Sequence, residues 1–278
     1  MKFGLIVQTT GALGDARPLV RLAREAEAAG WDGFFVWDVF GGDGADPAPV
    51  ADPWITMAAI AATTERIRFG TLVTPLPRRR PWKVAREAAT LDQLSNGRLI
   101  LGVGIGTPPE EFARFGEEPD AKTRAGMLDE GLEVLTGLWS GEPFTHNGEH
   151  YHVENATLLP RPVQQPRIPI WVGAGWPRKP GFRRAARWDG VHAFGTGDNL
   201  PLDELRQVRD FIQSQRQSNE PFDIVTGGDV PFDDPEAARV ILAEYAEAGV
   251  TWWIEGVGTW LGDEEAMAAF VRRGPPGR

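Results

Sequence analysis

The chain has 278 residues, 42% of them apolar, with 11 Trp and 14 Phe, enough to fill a large core and too many for a disordered chain. A net charge of −10 argues against nucleic acid or an anionic membrane as partner, although it leaves room for a local basic pocket. The absence of cysteine excludes disulfides, thiolate nucleophiles and Cys-zinc sites.

The opening MKFGLIVQTTG has only a short apolar run before Gln8, and no apolar run elsewhere reaches about 18 residues, so a soluble cytoplasmic protein is expected. Phe3–Gln8 reads as a buried first strand. Leu19, Leu22, Ala23, Ala26 and Ala29 then give a helical face that Gly30 caps. Gly33–Trp37 is the second strand, followed by a loop rich in Gly, Asp and Pro. Asp52-Pro53 opens the second helix, with Asp as N-cap and Pro at the first helical position. Ile67–Thr74 is the third strand. Val84, Ala88, Leu91 and Leu94 make one buried helical stripe, and Asn96-Gly97 stops that helix because both residues tolerate a left-handed backbone. Leu99–Ile105 follows as the fourth strand. A strand, a helix and a strand in about 40 residues make a parallel crossover unit.

The rhythm then breaks for roughly 65 residues, about twice the usual interval. Residues 107–168 hold a charged loop, a helix carrying Leu128, Leu132, Leu135 and Trp139 on one stripe, an irregular stretch from Phe144 to Leu159 and a proline-rich run. They read as an insertion over the barrel mouth, within a single domain of residues 1–278. Ile170–Gly173, Gly190–Phe194, Phe222–Thr226 and Thr251–Ile254 are the remaining strands, each followed by a helical pattern. Eight strands each followed by a helix describe an α/β TIM barrel with an insertion between strands four and five. The competitor is a doubly wound open sheet. It calls for a glycine-rich turn after the first strand, which Thr9 to Gly14 match poorly.

In such a barrel the chemistry lies at the C-terminal ends of the strands. Those positions hold few catalytic groups. His146, His150 and His152 fall in the insertion and His192 falls inside the sixth strand. His150 and His152 lack a third ligand at suitable spacing, so no metal is expected. The glycine turns at Gly173-Ala174-Gly175 and Gly195-Thr196-Gly197 say more. Each is either an ordinary tight turn or a cradle of backbone N–H groups for phosphate.

The segment GTLVTPLPRRRPWKVAREAATLDQLSNGRLILGVGIG resembles the signature region of the luciferase-like family of flavin- and deazaflavin-dependent oxidoreductases. GWDGFFVWD, DPW, LDEGLEVLTGLWSGEPF and PIWVGAG are similar to further blocks of that family in the same order. The resemblance covers most of the chain from Phe3 to about Gly195. It implies a TIM barrel with an insertion, a cofactor that is FMN or coenzyme F-420, a small organic substrate and a homodimer. It implies hydride transfer with the deazaflavin, or monooxygenation with FMN and then a separate flavin reductase. Non-covalent binding is expected, since no cysteine or suitably placed histidine offers an attachment point.

Residue by residue, the resemblance implies a cis peptide bond at Leu72–Val73 behind the cofactor ring; Gly104, at the end of the fourth strand, is a further cofactor-binding candidate by its place in the barrel. The resemblance implies phosphate on the two glycine turns, with Arg124 a further candidate. Trp37, Trp54 and Trp176 are candidates for an apolar substrate wall, though tryptophans serve equally as core. Arg78 to Arg80 make either a positive rim or a solvated charge run. One position departs from the family: where Asp-His is common after the second strand, this chain reads Asp38-Val39. Valine cannot move a proton, so that role is empty or falls to another group, with Asp38, Glu110, Glu111 and Glu255 as candidates. Asp38 reads equally as a structural acceptor. The missing histidine leaves two functional readings, a hydride-transfer enzyme whose chemistry belongs to the cofactor or a flavin-binding protein without turnover. A phosphorylated-metabolite lyase on the same barrel calls for a lysine or metal at a strand end, and neither is found.

Overall fold

The computed structural model describes residues 1–41, 47–195 and 200–277. Its strands are β1 (Lys2–Val7), β2 (Gly33–Val36), β3 (Arg68–Pro75), β4 (Leu99–Gly104), β5 (Phe144–Asn147), β6 (His152–Ala156), β7 (Ile170–Gly175), β8 (Gly190–Phe194), β9 (Asp223–Thr226) and β10 (Trp252–Val257). All but β5 and β6 close into one barrel in the order β1-β10-β9-β8-β7-β4-β3-β2, and every pairing within it is parallel. Closure rules out the open doubly wound sheet.

The helices are α1 (Ala16–Ala29), α2 (Pro53–Thr63), α3 (Pro81–Leu94), α4 (Pro109–Ala113), α5 (Ala121–Trp139), α6 (Lys179–Ala185), α7 (Leu202–Gln215), α8 (Pro235–Glu247) and α9 (Glu264–Arg272). The local signals act as expected. Gly30 ends α1 at φ 89°, the Asp52 carboxylate caps α2 on the Ile55 N–H, and Asn96 and Gly97 take φ 54° and 82° after α3. Leu94 is a difference: it is 51% exposed and does not join the buried stripe of its helix.

Both faces of the barrel strands are covered, as parallel sheets require. Outward side chains pack under the helices, while Phe35, Leu72, Ile100, Trp171, Val225, Trp252 and Ile254 form a separate cluster inside the barrel. Arg98, at the start of β4, is 9% exposed and donates to the carbonyls of Ala61, Thr64, Ile67 and Ser95 and to Thr64 Oγ1. It thereby satisfies the end of α2 and ties that end to β3 and β4, at the N-terminal end of the barrel.

The long segment between β4 and β7 serves several places. α5 packs against α3 as a barrel helix, and β5 and β6 form an antiparallel hairpin where the sequence reads as irregular. Asn147-Gly148 lies at its turn, where the backbone N–H groups of Glu149, His150 and Tyr151 bond the Glu130 carboxylate of α5. Phe144 seats against Gly137, where a Cβ would lie 2.1 Å from its ring. Residues 107–120 lie beyond the C-terminal end of β4. Gln164, by contrast, bonds Asp92, the Leu99 carbonyl and Arg68, beside the strand starts.

Candidate functional site

Strand alternation decides what faces the barrel interior. Gly173 pairs in register with His192, and His192 with Val225, a member of the interior cluster. Above the floor of Phe35, Leu72, Val225 and Ile254, the interior positions of β4 and β7 are glycines: Gly102, Gly104, Gly173 and Gly175. The missing side chains let neighbouring backbone, Val73 and Phe194 approach within 3.2 Å of where the Cβ atoms of these four glycines would stand. Ala174, between two of these glycines, turns the other way and is buried under α6, with Gly181 close against it. The expected turn at residues 173–175 is therefore the end of β7, and Ala174 leaves the candidate cofactor contacts.

The third strand supplies the feature that lies against these glycines. The Leu72–Val73 peptide bond is cis, and the register of β3 against β4 shifts between Thr71 and Thr74, forming a bulge. Gly70 and Gly102 permit it, since a Cβ at either would lie within 2 Å of a carbonyl oxygen of the neighbouring strand. Val73 is thereby carried over the glycine wall, 2.7 Å from where a Cβ of Gly104 would stand and 3.2 Å from that of Gly173.

Asp38 holds this bulge in place. Thr74 Oγ1 donates to Asp38 Oδ2 (2.8 Å), Trp54 Nε1 donates to the same oxygen (3.2 Å), and Arg79 Nη2 donates to Oδ1 (2.9 Å). Thr71 Oγ1, which lies 3.0 Å from Thr74 Oγ1, donates to the Gly102 carbonyl. With both oxygens engaged and a side chain 6% exposed, Asp38 is a structural acceptor. Val39 is half-buried beside it, and Glu110 is exposed on α4. Glu111 accepts from the Phe40 N–H and pairs with Arg78.

The opposite side of the mouth is aromatic. Gln8 Oε1 accepts from the Thr259 N–H, fixing the turn that carries Trp260. Gly256 and Gly258 make room for the Trp260 ring, which lies 6.1 Å from that of Trp37 and is 57% exposed. Phe194, 42% exposed, covers Gly175. Phe40 and Phe115 meet edge to face at 4.4 Å near Arg78.

Several residues singled out from sequence stand elsewhere. Arg124 is 1% exposed and donates to the carbonyls of Ile105, Gly106, Glu118 and Pro119, with its guanidinium over Phe112. That commitment corrects its assignment as a phosphate ligand; it organises the loop after β4. Trp54 is core, bonded to Asp38, and Trp176 is core, packed edge-on against Phe182 and Phe211. Arg78 and Arg79 are held in ion pairs, so neither forms a free positive rim. Thr196 and Gly197 lie outside the described residues. Arg178, whose N–H bonds the Gly175 carbonyl, and Lys179 and Arg183 on α6 have no ion-pair partner among the described residues, although Lys179 Nζ sits 3.2 Å from the centroid of the Trp176 ring and 4.6 Å from that of Phe211.

Glu255 sits on β10 but faces outward, bonded at 2.6 Å to the Trp253 indole. Burial pushes its carboxyl up to about 7; the indole bond opposes this and the nearby Asp229 charge adds to it. Sequence reading passed over three residues now at the mouth: His192, Phe194 and Trp260. The first two carry a signal, since Gly190, His192 and Phe194 alternate with the apolar Val191 and Ala193. Trp260 carries none beyond following the last strand. Among the described residues no group of three or more His, Cys, Asp or Glu gathers as for a metal, and no helix is long and apolar enough to cross a membrane.

The closed ring of eight parallel strands defines the class, a (β/α)8 barrel. The family described as luciferase-like monooxygenase matches residues 1–272, and the chain belongs to that family of oxidoreductases. It is 34% identical over 230 residues to an uncharacterized protein of Mycobacterium tuberculosis, covering 77% of this chain and 77% of that one. It is 36% identical over 197 residues to a coenzyme F-420-dependent glucose-6-phosphate dehydrogenase of Amycolatopsis mediterranei, covering 68% of this chain and 57% of the relative. A solved structure of a coenzyme F-420-dependent secondary alcohol dehydrogenase in complex with an F-420–acetone adduct shares the fold. Its TM-score is 0.78 at 19% identity, over 100% of this chain and 99% of that one.

Proposed function

We propose that the chain is a hydride-transfer oxidoreductase that takes coenzyme F-420, non-covalently, at the C-terminal mouth and acts on a small uncharged organic substrate. The observation that carries this reading is the Val73 bulge laid against Gly104 and Gly173, an apolar wall on which a flat ring would rest. The residues present fit such a group. Val73, Gly104 and Gly173 would back the ring, while Gly175 with Arg178, Lys179 and Arg183 would receive a phosphate-bearing side chain. When bound, the deazaflavin supplies a carbon centre that accepts or donates hydride. The deazaflavin is preferred to FMN because the dehydrogenase of A. mediterranei depends on it and aligns over 68% of this chain.

The protein's own part is positioning and exclusion of water. Asp38, through Thr74, fixes the bulge and hence the plane against which a ring would rest. Trp37, Trp260 and Phe194 shield the mouth and favour an apolar substrate body. The cytoplasmic location and the homodimer expected from the sequence remain part of this reading.

Titration with coenzyme F-420 and with FMN, followed by ring fluorescence, tests it. Micromolar binding of the deazaflavin, with its oxidation by simple ketones or reduction by alcohols, is the expected result. Binding of FMN alone would move the chain to monooxygenation with a separate reductase. Binding of F-420 without turnover of any donor or acceptor would point to a catalytically silent binding protein.

A further inference from the structure

We propose that His192 is a hydrogen-bonding contact for the ring cofactor at the base of the mouth, a role that rests on the cofactor reading above. The residue lies on the interior face of β8, in register with Gly173 on one side and Val225 on the other. Its ring is surrounded by protein and still presents accessible surface, the combination found where a side chain borders a hollow. Phe194, two residues on and on the same face, stands above it, with ring centroids 5.9 Å apart.

Its neighbours make the imidazole distinctive. Level with it and above, the interior positions Val73, Gly104, Gly173, Val225 and Ile254 carry no polar side-chain atom, while below it Trp171 Nε1 donates to Asp223 Oδ2 and Thr251 Oγ1 to Asp223 Oδ1. His192 has no hydrogen-bond partner among the described residues. Its ring nitrogens are not among the buried side-chain atoms left without a partner, so they reach accessible space and are free to meet a partner that arrives with a ligand. Burial lowers the imidazole to about 4, so at neutral pH it is uncharged and offers one N–H donor and one acceptor nitrogen.

A flat ring resting on Val73 spans the two glycines of β4 and β7, and the next strand is β8. Flavin and deazaflavin rings have a polar edge of carbonyl oxygens and an N–H. A neutral imidazole complements that edge as donor or acceptor, where a cation would bring an uncompensated buried charge. Leucine at this position would keep the volume and remove both hydrogen-bonding atoms, whereas glutamine would keep a donor and an acceptor.

The test compares wild type with His192→Leu and His192→Gln for F-420 and FMN binding by ring fluorescence, and for the absorption spectrum of the bound ring. Unfolding midpoints verify that each variant folds. His192→Leu is expected to weaken the cofactor that wild type takes by about 10-fold and to shift the bound-ring spectrum, while His192→Gln restores most of both. In the wild-type protein the imidazole nitrogen resonances should move on saturation, a readout independent of whether the leucine variant folds. Unchanged affinity and spectrum in His192→Leu overturn the proposal, as do unmoved imidazole resonances at saturation. If wild type itself binds neither cofactor, the functional reading fails and this inference goes with it. If wild type binds and His192 is indifferent, this inference alone fails.

Discussion

The two ends of the barrel are built on opposite plans. The N-terminal end is charged and indented: a concavity of about 450 Å³ is lined by Lys2, Glu27, Asp32, Arg66, Arg68 and Trp252, with Trp252 and Trp171 closing the barrel interior behind it. The C-terminal end is lined with glycine and aromatic side chains, and its charged groups are mostly spent on one another. The more conspicuous hollow and the denser charge thus lie at the end that holds the strands together. Polar density alone is a poor guide here. At the mouth the informative feature is the absence of side chains at Gly104, Gly173 and Gly175 and the backbone bulge placed opposite them.

The sharpest way to break this comparison is to fill the mouth. Gly173→Leu would project into the space in front of Val73 and is expected to reduce cofactor affinity by about 100-fold or more, measured by fluorescence titration, because a packed wall has no room to yield. Asp38→Ala comes next. It leaves Arg79 and the Trp54 indole unpaired and frees Thr74, and should cost about 3–5 kcal/mol in denaturant unfolding. A Cβ-only side chain that kept full stability would show that the Asp38 network does not hold the bulge.

Glu255→Gln sharpens the contrast on the flank of the mouth. In wild type the folded state retains the Glu255 proton up to about pH 7, while the unfolded chain releases it near 4.5. Stability attributable to this group is therefore complete below 4.5, declines as pH rises to about 7, and is level above that, by about 3 kcal/mol in total. The glutamine variant should lose this slope, seen by comparing unfolding at pH 5 and pH 8, and cofactor binding should be unaffected. Lys2→Met, at the other end, is expected to change stability by less than about 1 kcal/mol and cofactor affinity not at all.

Much of the barrel was legible because its signals are local. Asp52-Pro53, Gly30 and Asn96-Gly97 act through their own backbone, and the strands of a parallel barrel are short apolar runs that need no partner to be noticed. The hairpin of β5 and β6 was missed because both strands are short and largely polar, so the pattern near Asn147-Gly148 carries little hydrophobic alternation. The site was harder. A strand covered on both faces is apolar on both, so sequence does not tell which residues look inward until the barrel closes. Ala174 and Trp54 read as site residues from sequence, yet their side chains pack in the core, while His192 reads only as interior to a strand and faces inward once the barrel closes. Arg124 reads from sequence as a candidate phosphate ligand, yet its partners are carbonyls, which no sequence pattern announces.

At Gly104, Gly173 and Gly175 the wall of the mouth is made by Val73 and Phe194 alone, since the glycines add no side chain of their own. Any molecule that fits there supplies the cohesion those residues withhold, and the folded state is stabilised in proportion to the logarithm of its concentration over Kd, by about 2.7 kcal/mol at a hundredfold excess. The persistence of the chain is in that way tied to the supply of its ligand, and a shift in melting temperature across a panel of small molecules would report the natural occupant before any reaction is known.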